Sequence, residues 1–250
     1  MGHENPGSQA LPAPEEKHRY VRTMFDAIAP RYDLLNGLLS FNLHHRWRRL
    51  AADRANLKPG DSALDVCTGT GDFALELAGR VGPGGRVVGT DYSDGMLALG
   101  QKKIQAVPQL SLQWADTQEL PFPDHTFDAV TVGFGIRNVA QIENGLAEMA
   151  RALRPGGRMV VLEFTQPQNP QVAWGYGIYS RLMSVVGRTV SGNGDAYAYL
   201  PASVNAFHTR EGLAELLRQA GLTEISVTDL NLGTVAIHCA VKPDDTMRNL

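Results

Sequence analysis

Between Leu64 and Asp72 the chain passes from an apolar strand through a glycine turn into a helix: Leu64-Asp65-Val66-Cys67-Thr68-Gly69-Thr70-Gly71-Asp72, followed by Phe73, Leu75, Leu77 and Ala78 at helical spacing. No other stretch constrains the fold so tightly. Gly69 and Gly71 let the backbone approach a ligand whose volume a Cβ would otherwise fill. Asp91, about twenty residues on, ends the next predicted strand, where a carboxylate can accept from both hydroxyls of a ribose. The layout predicts a nucleoside site. A dinucleotide fingerprint would lay a pyrophosphate on the helix N-terminus, and Ala74 at the third glycine position is tolerated there. Charge argues the other way. Asp65 precedes the turn and Asp72 follows it, so a dianion is repelled and a ligand with a cationic end is favoured. S-adenosylmethionine, with its sulfonium and α-ammonium groups, fits that requirement; NAD stays as the alternative.

The rest of the chain follows the same grammar. Strand candidates at Ala63–Cys67, Arg86–Asp91, Leu110–Trp114, Phe127–Phe134 and Arg158–Phe164 alternate with helix candidates at Asp72–Arg80, Asp94–Val107 and Ile142–Leu153. Alternation of this kind predicts an α/β domain with a parallel sheet, right-handed crossovers and ligands at the carboxyl ends of the strands. Thr209 caps a predicted helix through Ala220, with Gly221 at its end. Two strand-like runs, Glu224–Asp229 and Gly233–Val241, then lie too close together to be parallel and predict an antiparallel hairpin. An antiparallel strand at the end of the sheet is the ending of the S-adenosylmethionine methyltransferase fold, whereas dinucleotide folds end on a parallel strand.

Ahead of the first strand, residues 1–17 read as a disordered, polar, Pro-rich tail. Val21–Ala29 and Leu43–Leu57 read as helices, so residues 20–57 form an N-terminal helical region of one domain spanning 18–250. The second helix sets Trp47, Leu50 and Ala51 on one face and Arg46, Arg48, Arg49 and Arg54 on the other. That basic face is a solvated surface or a contact with an anionic membrane. With 250 residues, 43% hydrophobic and 20% charged, the composition is that of an ordinary globular domain. A net charge of −3 gives no nucleic-acid footprint. Cys67 and Cys239 read as small buried hydrophobes of a reducing compartment, and no metal-ligand spacing occurs. Without an apolar leader or a membrane-length run, the expected location is the cytoplasm, with a peripheral position at the inner face of the membrane where the basic face makes contact.

The motifs resemble those of class I methyltransferases: Leu64–Gly71, Asp91, Asp116 through Leu120-Pro121-Phe122, Phe127-Asp128 and Leu153-Arg154-Pro155-Gly156-Gly157. Four further segments narrow the resemblance. They are Met24 through Asp33 with Asn36, Phe134-Gly135-Ile136-Arg137-Asn138-Val139, Leu162-Glu163-Phe164, and Tyr199-Leu200-Pro201-Ala202-Ser203-Val204. Together they resemble the ubiquinone/menaquinone biosynthesis C-methyltransferase family over nearly all of Val21 to Lys242. The resemblance implies a Rossmann-like, seven-stranded, mostly parallel sheet. It implies S-adenosylmethionine as cofactor and methyl transfer to a ring carbon of a polyprenylated quinol, a menaquinone or a ubiquinone precursor. Another small molecule or lipid acceptor is the alternative. Thr70 and Asp91 fall on the cofactor, and Asp116 and Thr117 beside the adenine, where family members often carry asparagine-alanine. Gly133 stands where some members have a serine contact. With Asp65, Gly69, Gly71 and Tyr92 these form the expected cofactor set.

For the chemistry, Arg137 is the first candidate. A guanidinium stays protonated, so it can stabilise a phenolate or orient a water but cannot serve as the base. Asp33, His44 or His45 could accept the proton, and Tyr32 and Asn138 could shape the pocket. Pairing of Arg137 with Glu163 or Asp33 in a purely structural role is the competing reading. Residues 167–207, with Trp174, Tyr176, Ile178, Tyr179, Leu182, Met183, Val185, Val186, Tyr197 and Tyr199, are expected to cap the crevice over the quinol. Their alternatives are packing on the sheet or a homodimer contact.

Overall fold

Three helices precede the sheet: α1 (Lys17–Ile28), α2 (Tyr32–Ser40) and α3 (Leu43–Arg54). The computed structural model describes residues 12, 16–179 and 194–244. The sheet begins with β1 (Ser62–Val66), α4 (Asp72–Val81), β2 (Arg86–Asp91), α5 (Asp94–Lys103) and β3 (Leu110–Trp114). It continues with β4 (Phe127–Gly133), α6 (Ile142–Ala152) and β5 (Leu153–Phe164). Residues 170–179 are helical (α7). Then come α8 (Gly194–Ala206), α9 (Arg210–Gln219), β6 (Thr223–Leu230) and β7 (Val235–Val241).

The seven strands lie in the order β3-β2-β1-β4-β5-β7-β6. β1 to β5 run parallel, and β7 inserts antiparallel between β5 and β6. The terminal hairpin read from the sequence is therefore present. Alternation builds the two faces. Ala63, Ala129 and Val160 face one core with Trp47, Phe73 and Leu77, while Leu64, Val130 and Val161 face the other with Leu146 and Met149. Register aligns Val66 with Thr90 on one side and Val132 on the other, so the ends of β1, β2 and β4 reach one level. From β1 the chain steps outward to β2 and β3, then crosses back to β4 on the other side of β1, and that reversal opens a crevice above the carboxyl ends.

Several boundaries differ from the sequence reading, each for a local reason. α3 stops at Arg54 rather than Leu57 because Asn56 turns left-handed, with φ 52. α5 ends at Lys103 because the chain turns through Val107 N–H to the Ile104 carbonyl ahead of Pro108. β5 starts five residues early at Leu153; a bulge opposite Phe127 and Ala129 absorbs the extra residues, with Gly156 at φ 73. α2 has no counterpart in the sequence reading; its Leu34 and Leu38 face solvent. Most of the predicted tail lies outside the described residues, but its last residue, Lys17, opens α1. The basic face of α3 loses one member: Arg48 is buried, 6% exposed, beside Asp72. Arg46, Arg49 and Arg54 remain exposed.

Candidate functional site

The turn after β1 is built on backbone that ordinary residues resist. Cys67, Gly69 and Gly71 all have positive φ (51, 59 and 86), and Cys67 adopts it without being glycine. A Cβ on Gly135 would overlap that of Cys67, so the ends of β1 and β4 approach as closely as a glycine allows. Asp91 fastens the turn to β2. Gly69 N–H donates to its Oδ2 at 2.8 Å and Ser93 N–H to its Oδ1 at 2.9 Å. Each carboxylate oxygen retains a lone pair towards the cavity, which Asp91 lines. Burial pushes the Asp91 carboxyl above its usual range, against the pull of those backbone bonds.

The cavity is open-sided and runs over the ends of β3, β2, β1 and β4. At the β3 end it is walled by Tyr92, Met96, Asp116 and Thr117, and at the β1/β4 end by Gly69, Tyr32, Gly133 and Phe134. α1 closes it from above through His18, Val21 and Phe25. The His18 ring meets Tyr92 edge-on at 5.2 Å, and its Nδ1 lies 3.6 Å from Asp116 Oδ2. Lys17 anchors this helix by donating to the carbonyls of Arg137 (3.0 Å) and Val139 (2.9 Å). The sequence reading took α1 as an amphipathic helix without seeing that it roofs the site. Where some family members have serine, a Cβ on Gly133 would stand 2.9 Å from Phe73 Cδ1, so glycine here matches Phe73.

Of the expected cofactor set, Gly69, Asp91, Tyr92, Asp116, Thr117 and Gly133 border this cavity, and Asp65, Thr70 and Gly71 do not. Asp65 lies fully buried beneath the turn and accepts from the hydroxyls of Thr68 and Thr131, both at 2.6 Å. Burial raises its pKa to about 6. Asp72 is likewise spoken for, with Lys103 at 2.9 Å and Arg48 at 3.4 Å. Burial would raise its pKa, but Arg48 and Lys103 outweigh that and hold it low. The argument that these two carboxylates face a cationic ligand is thereby corrected: one supports the turn and the other is neutralised by protein cations. Thr70 points away from the cavity to α2. Its hydroxyl donates to Asp33 Oδ1 and accepts from Lys103 Nζ, both at 2.8 Å.

The expected catalytic residues separate in the same way. Tyr32 and Asn138 line the cavity. Arg137, on the one-turn helix Ile136–Asn138 after β4, stands behind its wall and is 7% exposed. Its Nη1 donates to Glu163 Oε1 at 2.8 Å and to the Phe134 carbonyl, and Nε reaches Ser203 Oγ at 3.4 Å. Nη2 has no acceptor among the described residues. Burial pushes Glu163 above its usual range, with Arg137 opposing. Tyr199 OH donates to Asn138 Oδ1 at 3.0 Å, tying α8 to the cavity wall, and burial pushes the phenol up to about 12. Asp33 is engaged by Thr70 and by Lys103 at 2.5 Å and does not border the cavity. His44 is buried against Ser40 Oγ at 2.6 Å, and burial, then Arg48, lowers its pKa to about 4. His45 is exposed and stacks on it at 4.0 Å. Within 167–207, Leu182, Met183, Val185 and Val186 lie outside the described residues, as does the Tyr197 side chain. Trp174 and Ile178 are 73% and 49% exposed and do not wall the cavity.

A sheet whose last strand is reversed between β5 and β6, with a carboxylate-fastened glycine turn at its switch point, defines a class I S-adenosylmethionine-dependent methyltransferase. Asp91 suits a ribose, and Asp116 can accept from an adenine amino group, so the residues present fit that cofactor. The comparison with known proteins is narrower. Residues 13–242 match the model of the ubiE/COQ5 methyltransferase family, to which this chain belongs. It is 40% identical to a demethylmenaquinone methyltransferase of Halalkalibacterium halodurans, covering 94% of this chain and 98% of the relative. It is 43% identical to a ubiquinone/menaquinone biosynthesis C-methyltransferase of Geobacter sulfurreducens, covering 91% and 90%. Among solved structures, an S-adenosylmethionine-dependent methyltransferase of Thermotoga maritima superposes with a TM-score of 0.60 at 19% identity, over 88% of this chain and 99% of that one. That likeness speaks for the fold alone. Among the described residues no helix is long and apolar enough to cross a membrane.

Proposed function

We propose that this enzyme transfers a methyl group from S-adenosylmethionine to a ring carbon of a polyprenylated quinol, demethylmenaquinol or the equivalent ubiquinone precursor. The names of its relatives support the acceptor, and one observation in the fold carries the chemistry: a buried, paired arginine directly behind the wall of the cofactor cavity. Bound S-adenosylmethionine supplies an electrophilic methyl carbon on a cationic sulfur. The protein must activate the acceptor, because a phenol with a pKa near ~10 is rarely ionised at neutral pH. As the phenol O–H ionises, charge grows on oxygen and the ring carbon beside it becomes nucleophilic. The phenolic proton passes to solvent at the open side of the cavity. The carbon forms the new bond as the sulfur–methyl bond breaks and the demethylated donor leaves. The ring proton then departs to solvent as aromaticity returns, and the oxygen regains a proton as the quinol is released. Arg137 stabilises the growing phenolate through Nη2, while Glu163 holds the guanidinium in place. Tyr32 and Asn138 shape the cavity around the ring, and α1 with α8 excludes water.

The acceptor's prenyl tail belongs in a bilayer, and the surface that fits it is the edge formed by α2 and α7. Leu34 and Leu38 on α2, Phe41 just after it, and Trp174 and Ile178 on α7 are all exposed. Phe41 meets Tyr179 at 6.4 Å, which joins the two helices, and α3, next in sequence after α2, exposes Arg46 and Arg49. Exposed apolar and aromatic side chains beside arginines suit an anionic membrane surface, so the enzyme acts peripherally at the inner face. Incubation with labelled S-adenosylmethionine and each demethylated quinol, followed by mass analysis, tests the acceptor. Label in a product heavier by one methyl supports the reading; no transfer to any quinol contradicts it.

A further inference from the structure

Lys17 is a half-buried cation in a place that disfavours one. It is the first residue of α1, so its charge opposes the helix dipole, and the first turn holds no acidic residue to balance it. Burial, and then the charge of Arg137, push its pKa below the usual range. The stability of α1 gives no reason for a lysine here. What its ammonium has instead is two carbonyls, those of Arg137 at 3.0 Å and Val139 at 2.9 Å. They flank Asn138, the last residue of the one-turn helix after β4. Lys17 therefore holds the backbone on both sides of a residue that lines the cavity.

α1 carries two stripes set one residue apart. His18, Val21 and Phe25 line the cofactor cavity. Lys17, Tyr20 and Met24 repeat the same i, i+3, i+7 spacing on the adjoining face. Met24 packs with Tyr199, Tyr20 meets the Tyr199 ring at 5.6 Å, and the Tyr199 hydroxyl donates to Asn138 Oδ1 at 3.0 Å. One helix thus holds the backbone around Asn138 directly and its side chain through Tyr199. The cofactor side of the roof has a separate fastening at the start of α5. Arg22 pairs with Asp94 at 2.6 Å, and Asp26 accepts from Ser93 Oγ at 2.5 Å and from Gly95 N–H at 3.2 Å. We propose that Lys17 is a positioning residue for methyl transfer: it fixes the Arg137–Asn138 turn to the roof of the bound donor, so that the groups receiving the acceptor are set relative to that donor. The assignment rests on the role given to Arg137 in stabilising the phenolate.

Two measurements on the full-length chain test it: single-turnover methyl transfer to a demethylated quinol, and calorimetric titration with S-adenosylhomocysteine alone. In Lys17→Met the transfer rate falls about tenfold, the scale of a small misplacement of a reacting group. Affinity for S-adenosylhomocysteine stays within about threefold, because Arg22 and Asp26 keep the roof in place. Added to Arg137→Met, the same substitution slows transfer by less than about threefold further, since Lys17 acts through that turn. Lys17→Gln, which keeps a shorter, uncharged donor, carries the same comparisons with a several-fold loss of rate should the methionine variant fail to fold. An unchanged rate, an equal fall in rate and in S-adenosylhomocysteine affinity, or an undiminished further loss in the Arg137→Met background overturns the assignment. No transfer by the unsubstituted protein, or an undiminished rate in Arg137→Met, overturns the role of Arg137 and this assignment with it. A slow Arg137→Met beside an unimpaired Lys17→Met overturns the assignment of Lys17 alone.

Discussion

The residues that matter most in this site are those whose charges are shut away. Arg137 and Glu163 form a pair that is 7% and 2% exposed, and removing one partner strands the other. Arg137→Met is therefore expected to lower turnover by about a hundredfold to a thousandfold with cofactor affinity retained, measured in single-turnover assays below its reduced melting temperature. Glu163→Gln, which keeps the guanidinium but loosens it, should lose about tenfold. Equal losses would leave Arg137 only a structural role. Asp65 gives a test by pH. Its carboxyl titrates near 6 when folded and lower when unfolded, so its contribution to stability is fully present below the unfolded pKa and disappears as pH rises through 6. Asp65→Asn should gain on the unsubstituted protein between pH 4 and 7, by on the order of a few kcal/mol, and then level off. Urea midpoints at four pH values measure it. In the sequence, Asp65 and Asp72 were legible as a pair of acids around a glycine turn. Their partners Thr131, Lys103 and Arg48 come from distant elements, and no local pattern announces them.

Elements were legible wherever burial imposes a period. β2 and β3 run over the very residues their apolar runs predict, and Thr209 caps α9 by accepting from Gly212 N–H. α2 escaped a reading that looks for apolar residues turned inward: Leu34 and Leu38, spaced i and i+4, lie on a side that faces solvent. Arg48 was assigned to a basic face for the converse reason: a charged residue within a run of arginines reads as exposed until the neighbouring helix supplies Asp72. The exposed edge carries its own expectation. The double substitution Leu38→Glu and Phe41→Glu should abolish flotation with anionic vesicles and raise KM for a long-tailed quinol. It should leave the KM of a tail-free analogue unchanged. If the unsubstituted protein ignores vesicles and sediments as a dimer that the substitutions dissociate, the edge is an interface between two copies instead.

At the scale of the whole molecule, the strand order turns local motifs into one site. The return of the chain from β3 to β4, on the other side of β1, brings Gly69, Asp91, Asp116 and Phe134 above a single edge of the sheet, and α1 closes over them through Lys17. The sequence predicted that shared crevice from alternation alone; the roof was hidden, because it depends on one lysine reaching two carbonyls more than a hundred residues away. All of this arrangement serves attack by carbon. The most direct measurement supplies S-adenosylmethionine carrying a ¹³C-labelled methyl together with a demethylated quinol and records the carbon spectrum of the product. A signal for a methyl bonded to an aromatic ring carbon is the predicted result. A methoxy signal, or label that never reaches the quinol, would contradict the account.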